Sequence, residues 1–222
     1  MCGRFTLTLN TQALLEAFPQ FTFPAGVQPR YNIAPGQPLL AIPNDGQQRA
    51  THFLWGFVPG WAKDPRRYRF INARAETAAQ KPAFRAAFRR RRCLVPADGF
   101  YEWRRAHGKR AQPFYFTLKN QRPFAIAGLW EHWQGADGSE IIGCVLLTVP
   151  ANACVASVHD RMPLILPPEA YALWLAPEPQ PPERLRPLLR PYPAEAMQCW
   201  AVSSAVNNPR QDAPHLITAV ET

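Results

Sequence analysis

The sequence predicts a mixed α/β fold: a dominant, largely antiparallel twisted sheet or open β-barrel, with short helices at its periphery. Three observations lead there. The second half carries several short apolar or alternating runs, helical periodicity is confined to brief stretches, and the two do not alternate as a βαβ series would. A Rossmann-like parallel sheet is therefore not expected. With 222 residues and 47% hydrophobic content, one domain across residues 1–222 with a sizeable core is expected.

From the N-terminus, Thr11 to Phe18 reads as an amphipathic helix stopped by Pro19. A long loop punctuated by Pro and Gly follows, through Tyr31-Asn32-Ile33-Ala34-Pro35-Gly36. Leu39–Ile42 and Thr51–Val58 read as strands joined around the turn signal Asn44-Asp45-Gly46. Glu76 to Arg90 should contain a helix, with Pro82 near the first turn of its better-formed half. Strands are then expected at Cys93–Val95, Phe100–Arg104, Phe114–Leu118, Phe124–Trp130 and Glu140–Val149. Turns at His107-Gly108-Lys109 and Asp137-Gly138 separate some of them. Leu164-Ile165-Leu166, helices near Glu169–Leu175 and Glu183–Leu189, and a strand at Gln198–Ser203 complete the chain.

Composition narrows the function classes. No apolar run approaches the roughly 18 residues needed to cross a membrane, and no charged-then-apolar leader is visible. A soluble, unexported, cytoplasmic or nucleoid-associated monomer is expected. Net charge is +9, from 25 Lys+Arg against 16 Asp+Glu, and nearly all of the positive charge is Arg. Arg favours bidentate phosphate contacts and stacking on bases. Seven Trp residues add the aromatic platforms used to hold single-stranded nucleic acid. An Arg-rich base composition would give the same bias, so charge alone leaves nucleic-acid binding open.

Five cysteines, Cys2, Cys93, Cys144, Cys154 and Cys199, form no Cys-x-x-Cys pair and no Cys/His spacing typical of zinc. Their odd number predicts reduced thiols. Cys93, Cys144 and Cys199 lie in apolar runs and are expected in the core. No metal and no organic cofactor is called for.

Cys2 is different. After loss of Met1 it would carry a thiol and a free α-amine, a 1,2-aminothiol able to trap an aldehyde as a five-membered thiazolidine. Its amine titrates near 7.7–8.0, and is usable at neutral pH. Three further polar residues sit in segments that otherwise read as core or rigid loop. They are Asn72 in Phe70–Glu76, Glu102 between Tyr101 and Trp103, and His159 in Val158–Pro163. A carboxyl between aromatics can be desolvated into a useful acid/base range. Taken singly, each has a plain alternative: a turn cap for Asn72, an outward strand position for Glu102, a structural imidazole for His159.

In order along the chain run Met1-Cys2-Gly3-Arg4-Phe5, Tyr31-Asn32-Ile33-Ala34-Pro35, Trp55-Gly56 with Pro59-Gly60-Trp61, and Asn72-Ala73-Arg74-Ala75-Glu76. Cys93 to Trp103, His159-Asp160-Arg161-Met162-Pro163 and Ser203–Asn208 follow. This series closely resembles the SOS-response-associated peptidase family, abasic-site processing proteins that crosslink to damaged DNA. The resemblance implies that Cys2 is exposed by loss of Met1, by self-cleavage in some descriptions of the family. It also implies binding of single-stranded DNA and of junctions with duplex, and a covalent link between Cys2 and the ring-opened aldehyde of an abasic sugar. The positions matching the family's active site are Cys2, Asn72, Glu102 and His159. Arg4, Arg74, Arg85 and Arg161 are then expected on phosphates, with Trp61 on a base and Trp55 in the core. The run Arg89–Arg92 reads equally as a second phosphate strip or a solvated helix end. Two other classes stay open: an N-terminal-nucleophile amidohydrolase, in which the Cys2 thiol attacks an amide, and a non-catalytic nucleic-acid-binding module.

Overall fold

A computed structural model describes residues 2–104 and 111–221. The turn expected at His107–Lys109 lies outside the described residues. Among these, thirteen strands form two sheets. The first is wholly antiparallel, in the order β13 (Met197–Ala201), β8 (Gln112–Leu118), β7 (Gly99–Arg104), β1 (Phe5–Leu7) and β2 (Arg30–Ile33). The second is built on β3 (Pro38–Pro43), β4 (Thr51–Trp55), β6 (Arg92–Ala97), β9 (Phe124–Gln134) and β10 (Glu140–Pro150). These five pair in a ring, β4–β3–β6–β9–β10 and back to β4. The antiparallel expectation holds, and the barrel is closed rather than open.

Closure depends on β10. Its pairing with β4 is parallel, Gly143 against Leu54 and Cys144 against Trp55. Gly143 has no room for a side chain there, since a Cβ would stand 2.3 Å from the carbonyl oxygen of Gly56. Beyond the ring, β10 exchanges partners along its length. Leu146–Thr148 pair in parallel with β5 (Asn72–Arg74), and Thr148–Pro150 pair with β11 (Arg161–Pro163). One strand end therefore carries Asn72 and the His159–Arg161 segment on its two edges.

The two sheets meet through Phe5 and Trp55, whose rings pack edge to face 5.3 Å apart. Trp55 is fully buried, and its indole N–H donates to the Ile71 carbonyl at 2.9 Å, which fixes the chain just before Asn72.

Helices are short, as expected, and one loop segment differs from the sequence reading. The helix expected within Glu76–Arg90 is present as α3 (Arg85–Arg90), just after Pro82, and a further short piece, α2 (Ala75–Ala78), is set off from it by turns around that proline. The segment expected as loop around Tyr31 is strand β2, its edge supported by the equally unheralded β1. Cys199 is half-buried rather than core, whereas Cys93 and Cys144 are buried; all five cysteines are free.

Arg92 settles half of the arginine run. It is fully buried, and its guanidinium donates to the carbonyls of Phe88, Arg89, Trp174, Ala176 and Glu178. Two of these are carbonyls that the end of α3 leaves unsatisfied. Burial lowers its pKa to about 10. Arg91 pairs with Glu131 at 2.6 Å. Arg89 and Arg90 stay exposed. Among the described residues no helix is long and apolar enough to cross a membrane.

Gly143→Ala should lower the unfolding free energy by about 1–3 kcal/mol, because the clash is with backbone rather than a yielding side chain. Urea denaturation of the two proteins checks this, and an unchanged midpoint would remove the close approach as a constraint.

Candidate active site

Cys2 lies just ahead of β1, and that strand's partners decide where it goes. Phe5 pairs with Phe100 and Thr6 with Gly99, while the Tyr101 N–H donates to the Arg4 carbonyl at 3.0 Å. The antiparallel direction carries Cys2 toward the later residues of β7, where Glu102 stands. Thr6 reinforces the register through its hydroxyl, which bonds Asp98 and lies 2.9 Å from the Tyr115 hydroxyl. Asp98 also accepts from the Thr8 N–H at 2.6 Å. A Cβ at Gly99 would sit 2.1 Å from the Tyr115 hydroxyl, so the glycine before Phe100 is needed for this packing.

Four residues separated widely in sequence converge. The Asn72 amide N–H donates to the Cys2 carbonyl at 2.7 Å. Its other side-chain atom, Oδ1, is buried and has no hydrogen-bond partner among the described residues, an acceptor that costs free energy until it is met. Glu102 is buried, at 2% exposure, rather than facing outward as local strand alternation allows. His159 Nε2 lies 3.9 Å from Glu102 Oε2. His159 itself is placed by α4 (Ala153–Ala156), since its N–H donates to the Val155 carbonyl at 3.0 Å. Its Nδ1 accepts the Arg161 backbone N–H at 3.0 Å and is 2.9 Å from Asp160 Oδ1. A neutral ring accepting at Nδ1 carries its proton on Nε2, on the Glu102 side; a charged ring donates from Nδ1 to Asp160.

Burial acts on both ionisable groups nearest the N-terminus. Desolvation raises the Glu102 carboxyl from the ordinary 4.5 to about 7, with Asp160 pushing the same way. Desolvation also drives the Cys2 thiol far above its ordinary value, with Glu102 adding to it. The site therefore holds a carboxyl poised to exchange a proton near neutrality beside a thiol that keeps its own.

Residues 1–209 match the family model described as SOS response associated peptidase. The chain belongs to that family. It is 43% identical over 221 residues to the abasic site processing protein YoqW of Bacillus subtilis, covering 98% of this chain and 99% of the relative. It is 32% identical over 227 residues to the abasic site processing protein YedK of Escherichia coli, covering 99% and 100%. The abasic site processing protein HMCES of Xenopus tropicalis is 30% identical over 266 residues, covering 99% of this chain and 78% of the relative. A crystal structure of a Bordetella bronchiseptica protein superposes with a TM-score of 0.78 at 29% identity, covering 91% of this chain and all of that one. A Bacteroides thetaiotaomicron protein shares the fold, with a TM-score of 0.88 at 22% identity, covering 99% and 100%.

The residues expected on DNA are differently placed. Arg4 is half-buried, and its guanidinium donates to Asn32 Oδ1 at 2.8 Å and to the carbonyls of Val206 and Asn207. Arg161 holds Glu76 through two nitrogens, at 2.6 and 2.9 Å, and reaches the Thr148 carbonyl. Both are engaged inside the fold. Arg74 and Arg85 are exposed. Trp61 is 55% exposed and packs edge-on against Tyr68 at 5.0 Å. Trp55 is core, as expected.

Asn32 lies within the Tyr31–Pro35 motif, and the sequence assigns it no role of its own. It is fully buried, and its amide N–H groups donate to the carbonyls of Val206, Asn208 and Gln211. Asp212 closes the same junction by accepting from the backbone N–H groups of Tyr31 and Asn32. Trp103, next to Glu102, donates to Asn207 Oδ1 at 2.7 Å. These contacts lay the Ser203–Asp212 segment against the N-terminal strand. A lone Asn between Tyr and Ile was the available signal, but the carbonyls it donates to lie more than 170 residues away.

Because the folded carboxyl of Glu102 binds its proton more tightly than an unfolded one, its contribution to stability is complete below about pH 4.5. That contribution is lost as pH rises toward about 7. Glu102→Gln should therefore flatten the fall in stability between these limits. Urea midpoints measured across that window check this, and parallel slopes for the two proteins would contradict it.

Proposed function

We propose that this protein processes abasic sites in the DNA damage response by binding single-stranded DNA, or its junction with duplex, and joining Cys2 to the lesion. The observation that carries the reading is the convergence of Asn72 and Glu102 on Cys2, the one residue that can become a 1,2-aminothiol, with His159 3.9 Å from the Glu102 carboxyl. The names of the relatives support the same lesion.

The chemistry balances with the groups at hand. The abasic sugar is mostly a closed hemiacetal, and His159 moves the proton that opens it to the aldehyde. The α-amine of Cys2, freed by loss of Met1, attacks C1′ and forms a carbinolamine. Glu102, protonated in part near neutrality, gives its proton to the departing hydroxyl, which leaves as water. The resulting carboxylate then takes the thiol proton as Sγ adds to the iminium carbon and closes the thiazolidine. Glu102 ends as it began. The sum is one aldehyde plus one aminothiol giving one ring and one water. Closing the ring removes the iminium, the electron sink that would otherwise drive strand breakage. Asn72 holds the Cys2 carbonyl and offers Oδ1 to the amine or to a sugar hydroxyl. We assign release of Met1, and reversal of the link, to the same carboxyl.

Mature protein mixed with single-stranded DNA carrying one abasic site should give a heat-stable shifted band on a denaturing gel. Cys2→Ala should abolish it, as should an N-terminal extension that retains Met1. Covalent capture that survives either change would overturn the assignment of the aminothiol. Glu102→Gln should slow capture by about 10²–10⁴-fold, in line with removal of a general acid–base group, with DNA affinity nearly unchanged. His159→Ala should harm capture of the closed sugar more than capture of an aldehyde supplied in open form; equal losses would remove its ring-opening role.

A further inference from the structure

Two adjoining cavities, about 340 and 230 Å³, share Ala79 as a common wall. The smaller begins at Ala75 and Glu76, beside Arg161 of the His159–Pro163 segment, and includes Arg186. The larger is lined by Arg85, Arg89 and Arg90 of α3. Together they make one groove that starts at the edge of the candidate active site and leads away from it. We propose that this groove is a second DNA-binding surface, in which Arg89, Arg90 and Arg186 hold the sugar–phosphate backbone of the captured strand beyond the reactive centre. The inference rests on the reading that this protein captures abasic DNA.

The arginines in the groove have no task inside the protein. All four are exposed, and among the described residues no hydrogen bond or ion pair engages their side chains. The backbone of α3 is by contrast fixed. The Arg89 carbonyl accepts from the Gln180 N–H at 2.9 Å and from Arg92, and the Arg90 carbonyl accepts from Asn44 at 3.0 Å. The helix is rigid while its charged ends are left to solvent. Arg85 and Arg89, four apart, place like charges on one helical face, an arrangement that weakens a helix unless an anion lies over it. The carboxylate at the groove's head, Glu76, is already occupied by Arg161, which holds it below the usual range. The positive charge that remains is strung along two cavities rather than converged on one point. That spacing fits a chain of phosphates better than a single anion.

The test uses the full chain with Arg89→Ala, Arg90→Ala and Arg186→Ala combined, changes that remove no internal hydrogen bond or ion pair and place a strong helix former in α3. Two strands serve as probes: a lesion-free strand of about 30 nucleotides, long enough to follow the groove, and an abasic strand of about 5, too short to reach it. The variant should bind the long strand roughly tenfold more weakly at low salt. Its log–log salt slope should be lower by about 2, at ~0.7 for each phosphate that is no longer neutralised. It should crosslink the short strand at the wild-type rate. Arg89→Lys, Arg90→Lys and Arg186→Lys combined should restore the slope. Unchanged affinity and slope for the long strand would overturn the groove whatever happens to crosslinking. Loss of crosslinking on the short strand would overturn its separateness from the reactive centre. A wild-type protein that forms no adduct on the short strand would instead refute the abasic-site reading, leaving the salt slopes to judge the groove on their own.

Discussion

The arrangement depends on the antiparallel pairing of three residues, Phe5–Leu7, with the start of β7 and with β2. This register sends Cys2 into the interior rather than toward solvent. Such a short strand gains little from its own ladder. It is held instead by what surrounds it: the Phe5 ring against Trp55, the Thr6 and Thr8 contacts to Asp98, and the Arg4 guanidinium bound to Asn32 and the C-terminal segment. Each ties a different part of the chain to the first few residues. Cys2 thereby comes to rest against Asn72 and in the field of Glu102, whose Oε2 lies 3.9 Å from His159 Nε2.

Burial then does two opposite-looking things with one cause. Both a carboxyl and a thiol are harder to ionise away from water, so both titrate upward. For Glu102 the shift ends near neutrality, where the group can give and take a proton; for Cys2 it ends where the thiol stays protonated. In the proposed chemistry these are complementary. A carboxylate that has just released its proton is the base the thiol needs, and no external base has to enter the site.

The arginines show how little residue type alone decides. Arg92 is sealed in the core against five carbonyls, Arg91 pairs with Glu131, and Arg89 and Arg90 stand in solvent. Four consecutive like residues thus divide between holding α3 to its neighbours and presenting charge outward. The division follows from where α3 ends and β6 begins. In the ladder that follows, Arg92 turns into the space under the helix terminus, and the residues before it remain on its outer turn.

The sequence alone determined most of the sheet. Apolar and alternating runs marked β6 to β10, and the Asn44–Gly46 turn marked the hairpin of β3 and β4, whereas Cys2, Asn72, Glu102 and His159 were singled out as one site only through the resemblance of the ordered motifs to a known family. It could do so because these features are local: periodicity, turn chemistry and residue type within a few positions. What it left open is non-local. Strands of three or four residues such as β1, β2 and β5 carry too few positions for any period to register, and exist because longer neighbours offer them an edge. Closure of the barrel rests on a parallel pairing between Cys144 and Trp55, about ninety residues apart. Whether Glu102 faces water or the interior depends on what covers β7, and that cover comes from both ends of the chain. Only the tertiary structure could decide it, because the proton affinity of a carboxyl is set by its surroundings rather than by its neighbours in sequence.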